Sequence, residues 1–295
     1  MRSIKGKLHS TRTGTKINLR NTSRIKMGFS VCARPLAILL LIPNLIFGQK
    51  WMGEVIGGVS TYNGDLTQQA ILLQRLKPAF GFNLKYNSGD IFDFRVGLMF
   101  AKVGADDKDA KRPDLQARNL NFTTNIQELS ACMEFKLLDP DVFLQYPYLF
   151  AGLAMFHFNP FTHDNDGKKT FLRPLSTEGE GLSDFPERKN YSLYQFCIPF
   201  GAGFKFKTTD TWDLSFELGY RFLVTDYLDD VSKTYVSLEI LNLRKGPKAS
   251  ELAYRKAGVP FAEEGFPRGN SKVRDYYFFG GLKFAFNLSP QVKIR

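Results

Sequence analysis

The sequence predicts an all-β fold: a transmembrane antiparallel up-and-down β-barrel of eight strands. Three observations support this prediction. Apolar and polar residues alternate with period two in eight segments, which is the period of a β-strand. The gaps between the segments are alternately long and short, as they are in outer-membrane barrels. The large apolar residues of the segments are also too many to fit inside a barrel of eight strands.

The first 48 of the 295 residues predict an export signal that is removed from the mature protein. They hold nine Lys or Arg and no Asp or Glu, and they end in an apolar run, 36–48, that is too short to span a bilayer. Met27 is an alternative start, because the segment that follows it has ordinary signal proportions. Residues 49–295 then form a single outer-membrane barrel domain. Removing nine of the 40 basic residues leaves 31 against 29 acidic ones, so no nucleic-acid partner is expected.

The strands follow from the alternation of residue types. In TWDLSFELGYRF (211–222), Trp212 and Phe216 fall on one face, whereas Asp213 and Glu217 fall on the other. Most segments reach ten residues or more, which is longer than a typical strand and suits a tilted membrane crossing. The predicted strands are residues 51–62, 78–87, 91–103, 121–138, 146–158, 191–207, 211–224 and 275–288.

The connections predict the orientation of the barrel. Long loops and tight turns alternate along the chain, which places the two kinds of connection at opposite ends. The longest predicted loops are 159–190 and 225–274, and a short turn such as 208–210 is expected in the periplasm.

The two faces of the strands predict a lipid-facing exterior and a polar lumen. Ten charged residues alternate with the apolar ones and are expected to point inward: Glu54, Asp93, Arg95, Glu134, Lys136, Lys205, Asp213, Glu217, Arg221 and Lys283. Opposite charges in this number favour a cross-linked plug over an open channel. We therefore predict a lumen charge network that includes Arg95, Lys205, Asp213, Glu217 and Arg221.

Cysteine and histidine positions predict neither a metal site nor a catalytic site. Cys132 and Cys197 fall inside predicted strands, and their spacing leaves open whether they pair. The segment HDNDG (163–167) is similar to the start of a calcium loop, but Lys168 stands where the third ligand belongs. His157 lies within a strand and lacks a matched nucleophile and acid. We expect no enzymatic activity and no cofactor.

Several segments outside the regular alternation carry a resemblance to a known family. They are YNGDL (62–66), RNLNF (118–122), FNP (158–160), LSTEGEG (175–181), IPFGAGFKF (198–206), TDYLDDVSKTYV (225–236), RGN (268–270) and DYYFF (275–279). In this combination the chain resembles the Bacteroidetes outer-membrane β-barrels of the PorG type over almost the whole mature length. The resemblance implies an outer-membrane barrel of the type IX secretion system that associates with a periplasmic ring formed by a lipoprotein and its partner protein.

Six residues of these motifs are candidates for structural or interaction roles: Asp226, Tyr227, Asp229, Asp230, Glu178 and Arg268. The three aspartates could bind Ca²⁺ or pair with Arg268, and a solvated or salt-bridged loop is the favoured interpretation. Glu178 and Glu180 are interpreted in the same way.

The favoured function is a non-catalytic structural component of the type IX secretion system in the outer membrane of a Gram-negative bacterium. The expected partners are outer-membrane lipids and the periplasmic ring proteins. The alternative is a stand-alone barrel that serves adhesion, envelope integrity or small-solute passage.

Overall fold

Eight of the ten strands in the structure form a barrel. The structure is a computed structural model that describes residues 51–67, 73–89, 91–207, 209, 211–256 and 264–288, so the predicted export signal lies outside the described residues. The barrel strands are β1 (Trp51–Asn63), β2 (Lys77–Asn87), β3 (Phe92–Asp106), β4 (Asn121–Lys136), β5 (Gln145–His157), β8 (Tyr194–Lys207), β9 (Trp212–Leu223) and β10 (Tyr276–Asn287). The remaining two, β6 (Phe161–His163) and β7 (Lys169–Phe171), form a short hairpin in the loop that precedes β8.

Each barrel strand is antiparallel to its neighbours, and the sheet closes on itself. The order around the barrel is β1, β2, β3, β4, β5, β8, β9, β10, and β10 pairs again with β1. Closure gives each of the eight described barrel strands a hydrogen-bonded neighbour on both sides, as a lipid environment requires. The eight-stranded up-and-down barrel predicted from the sequence is confirmed, and the strand boundaries agree to within three residues.

The outer surface of the barrel is a belt of exposed apolar side chains. In β3 every second residue is buried from Asp93 to Ala101, and the residues between them face outward. Exposed side chains of β2 and β3 include Phe80, Phe82, Leu84, Phe94, Val96 and Leu98. So large an apolar exterior, on strands of 11 residues or more, makes this a transmembrane barrel.

Aromatic side chains mark the two rims of this belt. At one end Trp51 packs on Tyr86. Near the other end Tyr220 packs on Tyr276 and on Phe278. Aromatic rings gather at the two membrane–water interfaces because one part of them is apolar and another is polar.

The two ends of the barrel differ in their connections. At the short-turn end, brief turns join β2 to β3, β4 to β5 and β8 to β9, and the N–H of Leu288 donates to the carbonyl of Trp51 (3.0 Å). At the long-loop end the connections are 64–76, 107–120, 158–193 and 224–275. We call the described residues of these four connections the loop cap.

The loop cap contains three short helices: α1 (Pro113–Arg118), α2 (Leu238–Lys245) and α3 (Pro247–Ala253). Helix α2 begins where the Ser237 hydroxyl accepts the N–H of Ile240 (3.4 Å), and it ends at Gly246, whose φ of 88° few other residues adopt. Pro247 then starts α3 at a position where no N–H is needed. No helix of the described chain is long and apolar enough to cross a membrane.

The sidedness of the barrel can be tested by labelling single cysteines on intact cells with a membrane-impermeant maleimide. We expect Asp166→Cys to react, because this side chain is 84% exposed in the loop cap, and Ser88→Cys to react only after permeabilisation. The native Cys132 and Cys197 are buried and serve as the unreactive background. Labelling of Ser88→Cys on intact cells would mean that the orientation is reversed.

Candidate functional site

Charged side chains of both signs fill the lumen from the short-turn end to the middle of the barrel. Twelve of them are buried: the acidic Glu54, Asp93, Glu128, Glu134, Asp213 and Glu217 and the basic Lys85, Arg95, Lys136, Lys205, Arg221 and Lys283. We call these twelve the lumen network. Its six negative and six positive charges balance among the side chains that the structure describes.

Four residues form the centre of the lumen network. Arg95 lies 2.9 Å from a carboxylate oxygen of Glu134 and 2.6 Å from one of Glu217. Lys283 lies 2.7 Å from Glu134 and 3.2 Å from Glu217. Glu217 is therefore shared between two cations, and Glu134, which also lies 3.5 Å from Lys85, is shared among three. The Tyr148 hydroxyl donates a further hydrogen bond to Glu217 (3.0 Å). Sharing of this kind satisfies charges that are buried from solvent.

Other members of the lumen network pair outside this centre, some across neighbouring strands and some across the lumen. Lys205 lies 3.4 Å from Asp213, and Arg221 lies 3.4 Å from Glu128. The five residues predicted as a network thus take part in three separate salt bridges. Arg95 with Glu217 is the one at the centre of the lumen network.

Two buried partners were absent from the sequence prediction. Lys85 contacts Glu54 at 2.9 Å, and Glu128 accepts a hydrogen bond from the Tyr277 hydroxyl. The same period-two alternation points Lys85 and Glu128 inward, so the signal that could have found them is present in β2 and β4.

Large side chains occupy the room that inward-facing glycines provide. A Cβ on Gly203 would lie 2.2 Å from the Tyr148 ring, and one on Gly219 would lie 2.1 Å from the Arg221 guanidinium. The glycines therefore accommodate neighbouring side chains, and the space beside them is filled.

The half of the lumen near the long-loop end is apolar, which differs from the polar lumen that the sequence predicted. Inward side chains such as Val103, Ile126 and Phe156 pack there with Leu228 and Val231 of the loop cap. The prediction of a polar lumen fails in this half because apolar side chains of the loops fold into the barrel mouth and pack with the inward-facing side chains of the strands, which excludes water.

Most of the sequence motifs that lie outside the alternation come together in the loop cap. The Glu178 carboxylate accepts the N–H groups of Ser232 and Lys233 at 3.0 and 2.9 Å, and Arg268 donates to it at 3.0 Å. Arg268 also donates to the carbonyl of Asp230 (2.6 Å). These hydrogen bonds therefore join three of the motifs into one unit: LSTEGEG, TDYLDDVSKTYV and RGN.

The RNLNF and YNGDL motifs attach to this unit through Arg118 and Asp65. Arg118 pairs with Asp107 at 2.6 Å and donates to the carbonyl of Arg268 (2.6 Å) and to that of Asp65 (3.0 Å). The Asp65 carboxylate accepts the N–H of Asn270 at 3.0 Å. The loop cap is therefore a folded structure in which each long connection supports the others.

The candidate aspartates differ in their surroundings. Asp230 is buried, has a φ of 67°, and accepts hydrogen bonds from the hydroxyls of Thr177 (2.5 Å) and Tyr191 (2.6 Å). Asp229 is also buried, whereas Asp226 and Tyr227 are half-buried. The solvated or salt-bridged loop favoured from the sequence therefore does not describe Asp229 and Asp230, which are buried and form no salt bridge with Arg268. Their carboxylates accept hydrogen bonds from hydroxyl and N–H groups, and Arg268 pairs instead with Glu178.

Burial shifts the proton affinity of the cap carboxyls. It raises the pKa of Glu180 to about 8, with added repulsion from Asp230 and Glu178. Burial also raises the pKa of Asp230 to about 6, although Arg268 and the two hydroxyls oppose the rise. Glu178 is likewise buried rather than solvated, and its partner is Arg268.

Within the described residues, no group of three or more His, Cys, Asp or Glu side chains has the arrangement of a metal site. In the HDNDG segment the Asp164 carboxylate accepts the N–H groups of Asp166 and Lys168, which closes a turn. Cys132 and Cys197 are both free and buried. His157 packs against the ring of Tyr194.

Comparison with known proteins gives a family match and similar solved structures. Residues 34–177, slightly less than half of the chain, match the model of a domain of unknown function, DUF6089. No curated protein matches the sequence.

Three of the similar solved structures are bacterial outer-membrane barrels. Neisserial surface protein A is 10% identical, with a TM-score of 0.41, over 81% of this chain and 97% of that one. The N-terminal β-barrel domain of OprF from Pseudomonas aeruginosa is 12% identical, with a TM-score of 0.36, over 82% and 99% of the two chains. A major outer membrane protein from Thermus thermophilus is 13% identical, with a TM-score of 0.38, over 80% and 98%.

Removal of one partner from the buried cap pair should destabilise the protein. We expect Arg268→Met to lower the free energy of unfolding by about 3–5 kcal/mol, because it leaves Glu178 buried without a counter-charge. The double variant Arg268→Met/Glu178→Gln should recover part of that loss. Urea titrations in lipid vesicles measure both. If the double variant were less stable than Arg268→Met, the Glu178 carboxylate would not need a cation for the protein to be stable.

Proposed function

We propose that the protein is a non-conducting scaffold in the outer membrane of a Gram-negative bacterium, which holds the loop cap at the cell surface. The observation that carries this proposal is a pair of salt bridges that cross the barrel. Arg95 on β3 reaches Glu217 on β9 at 2.6 Å, and Lys283 on β10 reaches Glu134 on β4 at 2.7 Å. In each pair the two strands stand four places apart in the ring of eight, which is the greatest separation that the ring allows.

A lumen crossed in this way is suited to mechanical support and poorly suited to solute passage. Opening a path would separate buried charges from their partners, which costs several kcal/mol for each pair. The apolar layer above the lumen network also blocks the path along the barrel axis, and so does the folded loop cap. The apolar outer belt and the predicted export signal support the placement in the outer membrane.

Planar-bilayer recordings test the closed lumen. We expect the purified protein to give no steady solute-sized conductance. Arg95→Ala should lower the free energy of unfolding by about 3–5 kcal/mol, because Glu217 loses its closest cation, and should still form no regular channel.

The matched control is Arg112→Ala, whose side chain is 62% exposed and whose loss should change stability by about 0.5 kcal/mol or less. Steady ion-selective channels from the unmodified protein would overturn the scaffold proposal and favour solute passage.

For the cellular role we propose a structural component of the type IX secretion system, attached to its periplasmic ring. The resemblance of the motifs to barrels of the PorG type supports this role. Most of those motifs lie in the loop cap, so the resemblance extends to a part of the chain that the barrel pattern alone does not require. We propose no enzymatic activity. A stand-alone barrel for adhesion or envelope integrity is an equally consistent role for a closed lumen and an exposed cap.

Purification of a tagged chain in mild detergent separates the two roles. The secretion role predicts that ring proteins co-purify with it, and that deletion of its gene stops the export of type IX substrates. An unrelated eight-stranded barrel that carries the same tag is the control. A chain that purifies alone, from cells whose secretion survives the deletion, supports the stand-alone role.

A further inference from the structure

The base of the longest loop is held by one tyrosine and two aspartates. Tyr62 lies near the end of β1, Asp229 lies shortly after β9, and Asp275 directly precedes β10. The Tyr62 hydroxyl oxygen lies 2.6 Å from Asp229 Oδ2 and 2.9 Å from Asp275 Oδ1. Each of the three is at most 1% exposed. We call them the carboxyl–tyrosine triad.

The hydrogen bonds of the triad require one more proton than three ordinary side chains at neutral pH supply. Asp229 Oδ1 accepts the N–H of Val231 and Asp275 Oδ2 accepts the N–H of Leu228, each at 2.9 Å. The other oxygen of each carboxyl faces the same phenol oxygen. A phenol has one hydrogen, which it can donate to only one of them. The second contact is a hydrogen bond only if that carboxyl carries a proton and donates it to the phenol oxygen.

The surroundings of the triad favour retention of this proton. Burial raises the pKa of Asp229 well above its usual range, and the nearby Asp275 and Asp65 raise it further. Burial and the nearby Asp226 do the same for Asp275. Both outside groups, Asp65 from the first long connection and Asp226 from the same loop, are acidic, so they add to the repulsion that a bound proton relieves.

Close packing keeps the triad in this geometry. A Cβ on Gly64 would lie 1.9 Å from Asp275 Oδ1 and 2.1 Å from the Tyr62 hydroxyl. Glycine in the YNGDL motif therefore lets the backbone approach the triad. Every carboxyl oxygen of the triad is in a hydrogen bond, so the triad can hold a shared proton but has no free oxygen that could bind a cation.

We propose that the carboxyl–tyrosine triad is a proton-dependent latch, in which one shared proton closes the base of the 224–275 loop and its loss releases the loop. Tyr62 then donates to one aspartate and accepts from the other. Without the proton, two buried carboxylates face one phenol oxygen across the base of the loop. The latch concerns the loop cap alone, and it does not depend on the secretion role or on the closed lumen.

The direction of the pH effect follows from proton counting. In the open loop each aspartate has an ordinary pKa of about 3.9, whereas the closed triad keeps its proton to higher pH. From about pH 5 up to the raised pKa of the closed triad, the closed form therefore binds one more proton than the open form, and raising the pH favours opening. For one proton, the opening constant should rise about tenfold per pH unit from this source.

Hydrogen exchange of the 224–235 segment in lipid nanodiscs, corrected for intrinsic exchange between pH 5 and 7, measures this opening. Asp275→Asn mimics the protonated form, because its amide oxygen can accept the N–H of Leu228 while its NH₂ donates to Tyr62. In this variant we expect the opening constant to rise about tenfold less per pH unit than it does in the unmodified protein. Asp229→Asn should lose the same factor, and it provides the same test if Asp275→Asn does not fold.

The double variant Asp229→Asn/Asp275→Asn distinguishes one shared proton from two independent ones. A single shared proton predicts that the double variant loses no more pH dependence than either single variant. Asp166→Asn, the same change at an exposed cap position, is the matched control and should leave the pH dependence as it is. Unchanged pH dependence in the single variants, or twice the loss in the double variant, would overturn the latch.

Discussion

The two salt bridges that cross the lumen, Arg95 with Glu217 and Lys283 with Glu134, are the interaction on which the rest of the structure depends. Closure of eight strands creates an interior that side chains must fill, and charges placed there need partners because water is excluded. These bridges also hold the strand register. A slip of one residue would turn the charged side chains toward lipid and the apolar belt into the lumen.

The lumen and the loop cap satisfy their buried charges in different ways. The lumen network has six acidic and six basic members, so carboxylates there meet cations directly. In the loop cap Glu178 meets Arg268 and Asp107 meets Arg118, whereas Asp230 is held by hydroxyl groups. Glu180 and Asp230 are buried and form no salt bridge with a described residue, and burial raises their pKa values. The stability of the cap therefore depends on protonation, whereas that of the lumen depends on ion pairs.

The apolar layer between these two regions links the cap to the barrel. Leu228 and Val231 come from the longest loop, and they pack on Val103 and Phe156 of the barrel wall. Their burial excludes water from the mouth of the barrel and places the cap carboxyls in an apolar environment. The cap is therefore part of the same folded unit as the barrel.

The sequence by itself determined the strands, their faces and the alternation of loop lengths, because period-two patterning is a local property of each segment. It also placed Arg95 and Glu217 inside the barrel, but it could not pair them, since the height at which two side chains meet across the lumen depends on the register of every strand between them. In the same way TDYLDDVSKTYV stood out as a motif, whereas the burial of Asp229 and its shared contact with Asp275 at Tyr62 arise only when both ends of a long loop meet the end of β1. Contacts between residues far apart in the chain were thus decided by the tertiary structure, because no local pattern records which distant side chain fills a given space.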